Sequence, residues 1–397
     1  MTVLSRPSHV RILIYIFPAL MDMVVAQFLF INTVRVTRMG ASGAVVAGVT
    51  TVWSLAYLLA CFLAGRLATP RNASRWMLLS CVLLATMAAL GMVLPGIPAI
   101  YLITGLAGAS AAFFFPPFQL FMKAVDQGAA RSLAYSTGLY TFAWSAGYAV
   151  APLLSGFLMN LGPHGWRLAL GSSAVAAVLT AYGILRLQHL AQSSHIPAAP
   201  ELSSEPAACT NGRPDLAWLA WLGTGAGMLA ISIIRAVFPV HAINALHLDD
   251  PTLGTLFFLL SMSQAVTGLI LCRSRLWMYR ALPVFASGVL GVLAMVGLAL
   301  GHTVLLLALG TILFGVYSGC FFFYLVYHAI AHPVRAPAYV AINEAVVGAG
   351  GILGPLAGGL LLDRGGYLAS AVVGAAFILL ITLFQTFVHR QHPVAAS

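Results

Sequence analysis

Runs of about twenty apolar residues recur along the whole chain. That is the length a helix rising 1.5 Å per residue needs to cross a hydrocarbon layer about 30 Å thick. Twelve can be marked, at 11–33, 43–66, 75–95, 98–122, 132–160, 166–188, 216–240, 252–272, 281–301, 303–327, 336–361 and 367–388. Lipid offers backbone N–H and C=O groups no partner, so a spanning segment is a helix or part of a closed barrel. The expectation is an all-α membrane protein with twelve transmembrane helices. Composition agrees, since 61% of the 397 residues are hydrophobic and only 7% charged, against about a quarter charged in soluble domains.

The first run has the basic flank and apolar core of a signal peptide, but Asp22 interrupts it and no small-residue cleavage site follows cleanly. It reads as a retained first helix. The net charge of +10 is explained by position. With a cytoplasmic N-terminus, fourteen basic residues (Arg6, Arg11, Arg66, Arg71, Arg75, Lys123, Arg131, Arg186, Arg213, Arg273, Arg275, Arg280, Arg335 and Arg390) fall inside. Four (Arg35, Arg38, Arg167 and Arg364) fall outside, and Arg235 lies in a span. This is the positive-inside asymmetry, so the basicity orients the chain, with both termini cytoplasmic, and calls for no nucleic acid. Cys61, Cys81, Cys272 and Cys320 fall in spans and Cys209 in a loop, with no disulfide or zinc spacing.

Residues 189–215, rich in Pro, Ser, Ala and charge, read as a cytoplasmic linker between a bundle at 1–188 and a bundle at 216–397. The bundles repeat each other. "GYAVAPLLSG" at 147–156 lies over "GGILGPLAGG" at 350–359 with an offset of 203, and "SAAFFFPPF" at 110–118 over "SGCFFFYLV" at 318–326 with an offset of 208. A six-plus-six repeat puts both halves in one orientation about an axis along the membrane normal, with a cavity between them near the midplane.

On these features the chain resembles the major facilitator superfamily over essentially its whole length. "GGILGPLAGG" is similar to that family's G-x-x-x-G-P-x-x-G-G motif, carried by Gly350, Gly354, Pro355, Gly358 and Gly359. The first-half copy keeps Gly147, Pro152 and Gly156, with Ala151 and Ser155 replacing glycines. In drug/proton antiporters of the family the motif belongs to the fifth span, so the resemblance implies a drug or metabolite antiporter. The second loop, "GRLATPRNASR", resembles the family's acid-and-arginine loop through Gly65, Arg71 and Arg75, but has Thr69 where the acid would stand. The fourth span has Ile103 and Thr104 where many proton-coupled exporters have an arginine. From spacing alone, Gly350, Gly354 and Gly358 form one helical stripe for close backbone approach, and Pro355 removes a hydrogen bond and can bend the helix. The two motif copies are therefore read as packing seam and hinge.

Ionisable side chains inside spans cost about 2.5–3.5 kcal/mol each at mid-bilayer on insertion scales, so they mark function. Asp22 lies about 16 Å along a helix from Arg11, near the midplane, as a protonatable carboxylate or a group satisfied at a kink beside Pro18. Glu344 lies about 12 Å in from Ala336, about 120° from the Gly350 stripe, while Asn343 lies almost on it. Arg235 could hold an anion, pair with Asp22 or snorkel outward, and its repeat counterpart is Asn32. Gln27 and Tyr140, with Gln119, Tyr327 and Gln264, could bond a substrate or join helices. His328 and His332 share a helical face without an accompanying acid, and "NAS" at 72–74 is a sequon on the cytoplasmic side.

The function expected is secondary transport of a small organic solute by alternating access, coupled to protons, with export of an amphipathic compound ahead of uptake of a small anionic metabolite. There is no phosphate-binding loop, only one lysine, and no cluster of acids or histidines at one depth. An enzyme is therefore not expected, nor a cofactor, and a transporter-like sensor is the alternative class. The partners are solute, lipid and protons. A monomer in a bacterial inner membrane fits the short loops.

Overall fold

A computed structural model describes residues 14–69, 71–118, 133–192, 215–273, 277, 280–331 and 336–391. The described residues are almost entirely helical. In chain order α1 is Ile16–Arg38, α2 Gly43–Leu67, α3 Ala73–Val93, α4 Ile97–Ala111, α5 Leu133–Met159 and α6 Gly165–Gln192. Beyond residue 214 come α7 Ala217–Asn244, α8 Asp250–Arg273, α9 Ala281–Leu300 and α10 Val304–Ala331. The last helical element, Ala336–Gln391, has 56 residues, about 84 Å if continuous, far more than a bilayer. It is broken at Gly365 (φ −138°, ψ 15°) and Gly366 (φ 70°, ψ −177°). Only glycine holds the second of these conformations without strain. The break makes α11 (336–364) and α12 (367–391), and so twelve spans.

Two boundaries differ from the apolar runs. α1 continues past residue 33 to Arg38, because the positive charges of Arg35 and Arg38 in its last turn favour the helix C-terminus. α4 pauses in a turn at 112–114 and resumes to Phe118, where Pro116 and Pro117 lack the N–H groups a continuous helix would need. α6 reaches Gln192, beyond the expected start of the linker.

Short turns join the helices at one membrane face, at 39–42, 94–96, 160–164, 245–249, 301–303 and the 365–366 break. The opposite helix ends, which include those that the sequence joins through its longest connections, lie at the other. We call these the short-loop and long-loop faces. Packing in the first half is repeated in the second: α1 on α5 and α6, α2 on α4, α3 on α6, then α7 on α11 and α12, α8 on α10, α9 on α12. The halves meet along two seams, α5 with α8 and α2 with α11. The first helix of each half is the most enclosed, with 78% of the central stretch of both α1 and α7 buried against 33% for α2. Polar groups on α1 and α7 therefore face protein, and they define the site.

Candidate functional site

Gly147 brings α5 onto α1 so closely that a Cβ there would collide with the Ala19 carbonyl. One turn further along α1 is Asp22, buried, and next to Gly147 is Tyr148. From the other half, α7 brings Arg235 to the same junction, its guanidinium carbon 4.0 Å from the centre of the Tyr148 ring. Asp22 and Arg235 act on each other and on Tyr148 electrostatically, while their charged atoms are more than 4.0 Å apart. The arginine therefore rests on an aromatic face, not on the carboxylate. Its Nε and Nη2 are buried without a hydrogen-bond acceptor. Leaving such donors unmade costs about 1–3 kcal/mol each, more when charged, which fits a site that a ligand completes.

A second group lies on the α2–α11 seam. Glu344, half-buried on α11, acts electrostatically on Tyr57 and Cys61 of α2. Tyr57 stacks on Trp53 at 5.0 Å and meets Phe115 edge-on at 6.4 Å, and Phe118 stacks on Tyr140 at 6.3 Å. Aromatic rings thus run from α2 through α4 to α5. Trp144 carries them across to the second half by meeting Phe322 at 5.1 Å.

The amide candidates lie elsewhere, as joints between helices. Gln27 donates to Ser172 at 2.8 Å and accepts from Ser173 at 2.7 Å, binding α1 to α6. Asn343 accepts from the Trp221 indole at 2.7 Å and donates to the Leu325 carbonyl at 3.3 Å, joining α7, α10 and α11. Gln264 donates to Ser145 at 2.8 Å across the α5–α8 seam and accepts from Ser318 at 2.9 Å. Tyr327 packs on Trp277 and Phe323. Gln119 and His332 lie outside the described residues, and Asn72 folds its own turn by accepting from the Thr69 N–H at 2.6 Å.

The motif glycines divide by partner. Gly350, Gly354 and Gly358 face α7, where a Cβ would press on Met228, on Leu229 and Ser232, or on Ile233 and Val237. Gly359 instead faces the Gly43 carbonyl on α2, and Gly156 faces the Asp250 carbonyl on α8, both across seams. Pro152 and Pro355 lie within α5 and α11. At the short-loop face the seams are tied by two acids that the sequence did not single out. Arg38 donates to Asp250 at 2.7 Å, and Asp363 accepts from the Gly43 and Ala44 N–H groups at 2.6 and 2.9 Å. Tyr148 is also not singled out by the sequence, because one position along a helix turns a side chain by about 100° and its place next to Gly147 does not show which way the ring points.

Residues 12–336 match the sequence model of the Major Facilitator Superfamily. A search of curated proteins gave no match. Among solved structures, the chain is similar to a bacterial homologue of the human lysosomal transporter Spinster, in an inward-facing and occupied conformation, with a TM-score of 0.67 at 14% identity over 98% of both chains. The nucleoside transporter NupG gives 0.65 at 14% identity, over 96% of this chain and 99% of that one. The human organic anion transporter MFSD10 gives 0.60 at 15%, over 96% and 100%.

Proposed function

Since this chain belongs to the Major Facilitator Superfamily, we propose that it moves an amphipathic organic solute across the membrane by alternating access and carries a proton with it. The family and its transporter neighbours support a membrane solute transporter. The observation that carries the finer reading is the junction of α1, α5 and α7, where Asp22 and the unfilled donors of Arg235 share Tyr148.

An anionic group of the solute would take the Arg235 donors, with its apolar body against the aromatic rings. That would cancel the positive field that favours an ionised Asp22, so Asp22 would bind a proton more readily. By linkage each ligand then strengthens the binding of the other. The filled site, with Asp22 protonated and the anion on Arg235, then has no net charge, as the empty site has with Asp22 ionised, so neither form adds the cost of an uncompensated charge in the membrane. Solute and proton travel in the same direction.

Residues 1–188 and 216–397 are the two moving units on this reading, with 189–215 as their tether. The long-loop face and both termini are cytoplasmic in a cell inner membrane, as the distribution of arginines supports.

Glu344 among Tyr57, Tyr140 and Trp53 favours a second reading, export of a cationic amphipath that displaces a proton from that carboxylate. Proteoliposomes with a pH dye in the lumen separate the two when aromatic carboxylates and aromatic amines are added outside. Carboxylate-dependent acidification of the lumen is expected. Amine-dependent alkalinisation would replace the first reading with the second, and flux without proton movement would remove coupling.

A further inference from the structure

The short-loop end of the first half holds a cavity of about 300 Å³ that plays no part in the site just described. Its walls are the end of α1, the turn between α3 and α4, and the turn between α5 and α6. Three of the lining residues are arginines, Arg35, Arg38 and Arg167, and none is an acid. Arg35 and Arg167 both lie over the Trp166 indole, with guanidinium carbons 3.8 and 5.1 Å from the ring centre. Met39, Val93 and Met159 supply apolar wall.

Arg38 is paired with Asp250, but the other two charges meet no acid among the described residues. Arg35 is only 7% exposed, and its hydrogen bonds reach neutral oxygens, Asn32 at 3.4 Å and the Gly91 carbonyl at 3.5 Å. A buried cation with two long, uncharged contacts is costly. The three described acids at this face are engaged elsewhere: Asp249 with the Thr252 N–H, Asp250 with Arg38, and Asp363 with the start of α2. That leaves Arg35 and Arg167, among the described residues, without a counterion beside an indole face.

We infer that this cavity binds an organic anion, a carboxylate or phosphate head on a short apolar body. The head would sit between the guanidiniums of Arg35 and Arg167, which can grip an oxyanion with two donors each. The body would lie on Trp166, Val93 and Met159. A volume near the lower end of small-ligand sites limits the occupant to a compact molecule or a lipid headgroup. The inference stands apart from the solute reading, because it concerns a different depth and different arginines.

The test is thermal unfolding of the full-length protein in phosphatidylcholine nanodiscs, titrated with sodium hexanoate at matched ionic strength. A ligand of the folded state should raise the midpoint saturably. Arg167→Ala, at an exposed position that should not disturb folding, should raise the half-saturating concentration about tenfold, the loss of roughly one charge-assisted hydrogen bond. Arg35→Lys should weaken binding while keeping the charge. Discs containing phosphatidylglycerol identify the source. A blunted hexanoate response there supports a lipid headgroup as occupant, and an unchanged one supports a free solute. Absence of saturable stabilisation would overturn the inference. So would a response that survives Arg167→Ala and Arg35→Lys but is abolished by Arg235→Lys, which would place the anion at the central site.

Discussion

Where α5 meets α8, Gly156 lies against the Asp250 carbonyl, and where α2 meets α11, Gly359 lies against the Gly43 carbonyl. Positions 156 and 359 differ by 203, the offset that relates the two motif copies. The repeat has thus kept the backbone approach at both seams. The polar ties have diverged. At the first seam a half-exposed cation, Arg38, meets Asp250, which is 1% exposed. At the second an exposed carboxylate, Asp363, caps the N-terminus of α2. Close packing sets where the halves can touch, and charge sets how firmly the short-loop face is held. The second is free to differ between seams because a carboxylate finds either a guanidinium or a helix N-terminus.

The largest change in the separation of the halves should come from filling the glycine gap. Gly156→Leu or Gly359→Leu places a side chain where a carbonyl lies, and overpacking of this kind costs about 1–3 kcal/mol. Spin labels at Ala41 and His247, in short-loop turns of opposite halves, should move from one short separation to a longer, broader distribution in both variants. Movement in only one would show that the seams are not equivalent.

The ties should rank next. Arg38→Ala strands a buried carboxylate whose Oδ2 already lacks a partner, so a loss of about 2–3 kcal/mol is expected in thermal unfolding. Adding Asp250→Asn should recover part of it. Asp363→Asn removes charge from a helix N-terminus but keeps an acceptor, and should cost about 0.5–1 kcal/mol. Equal losses at the two ties would mean that the difference between the seams has no energetic meaning.

Much of the fold could be read from the sequence because lipid leaves few choices. The apolar runs located the spans, and the offset between glycine motifs related α5 to α11. Facing was harder to read. Helices apolar on all sides carry no stripe to show which side meets protein, so Gln27 and Asn343 could equally have been ligand groups or joints. In the sequence Arg35 falls outside, past the end of the apolar run at 11–33. In the structure the helix continues and Trp166 covers the charge. Asp250 and Asp363 acquire meaning only when the halves dock, which no local pattern shows. Asp22 and Arg235 stood out because an ionisable group in a span is rare, whereas Tyr148, their shared neighbour, is of a residue type common in spans.

The central claim is that Asp22 carries the proton while Arg235 holds the solute, and Asp22→Asn in proteoliposomes tests it most directly. Exchange of labelled for unlabelled solute across the membrane needs no net proton movement, so counterflow should persist in the variant. Accumulation driven by a pH gradient should be abolished. A variant that still accumulates solute against its gradient when driven by pH would contradict the account.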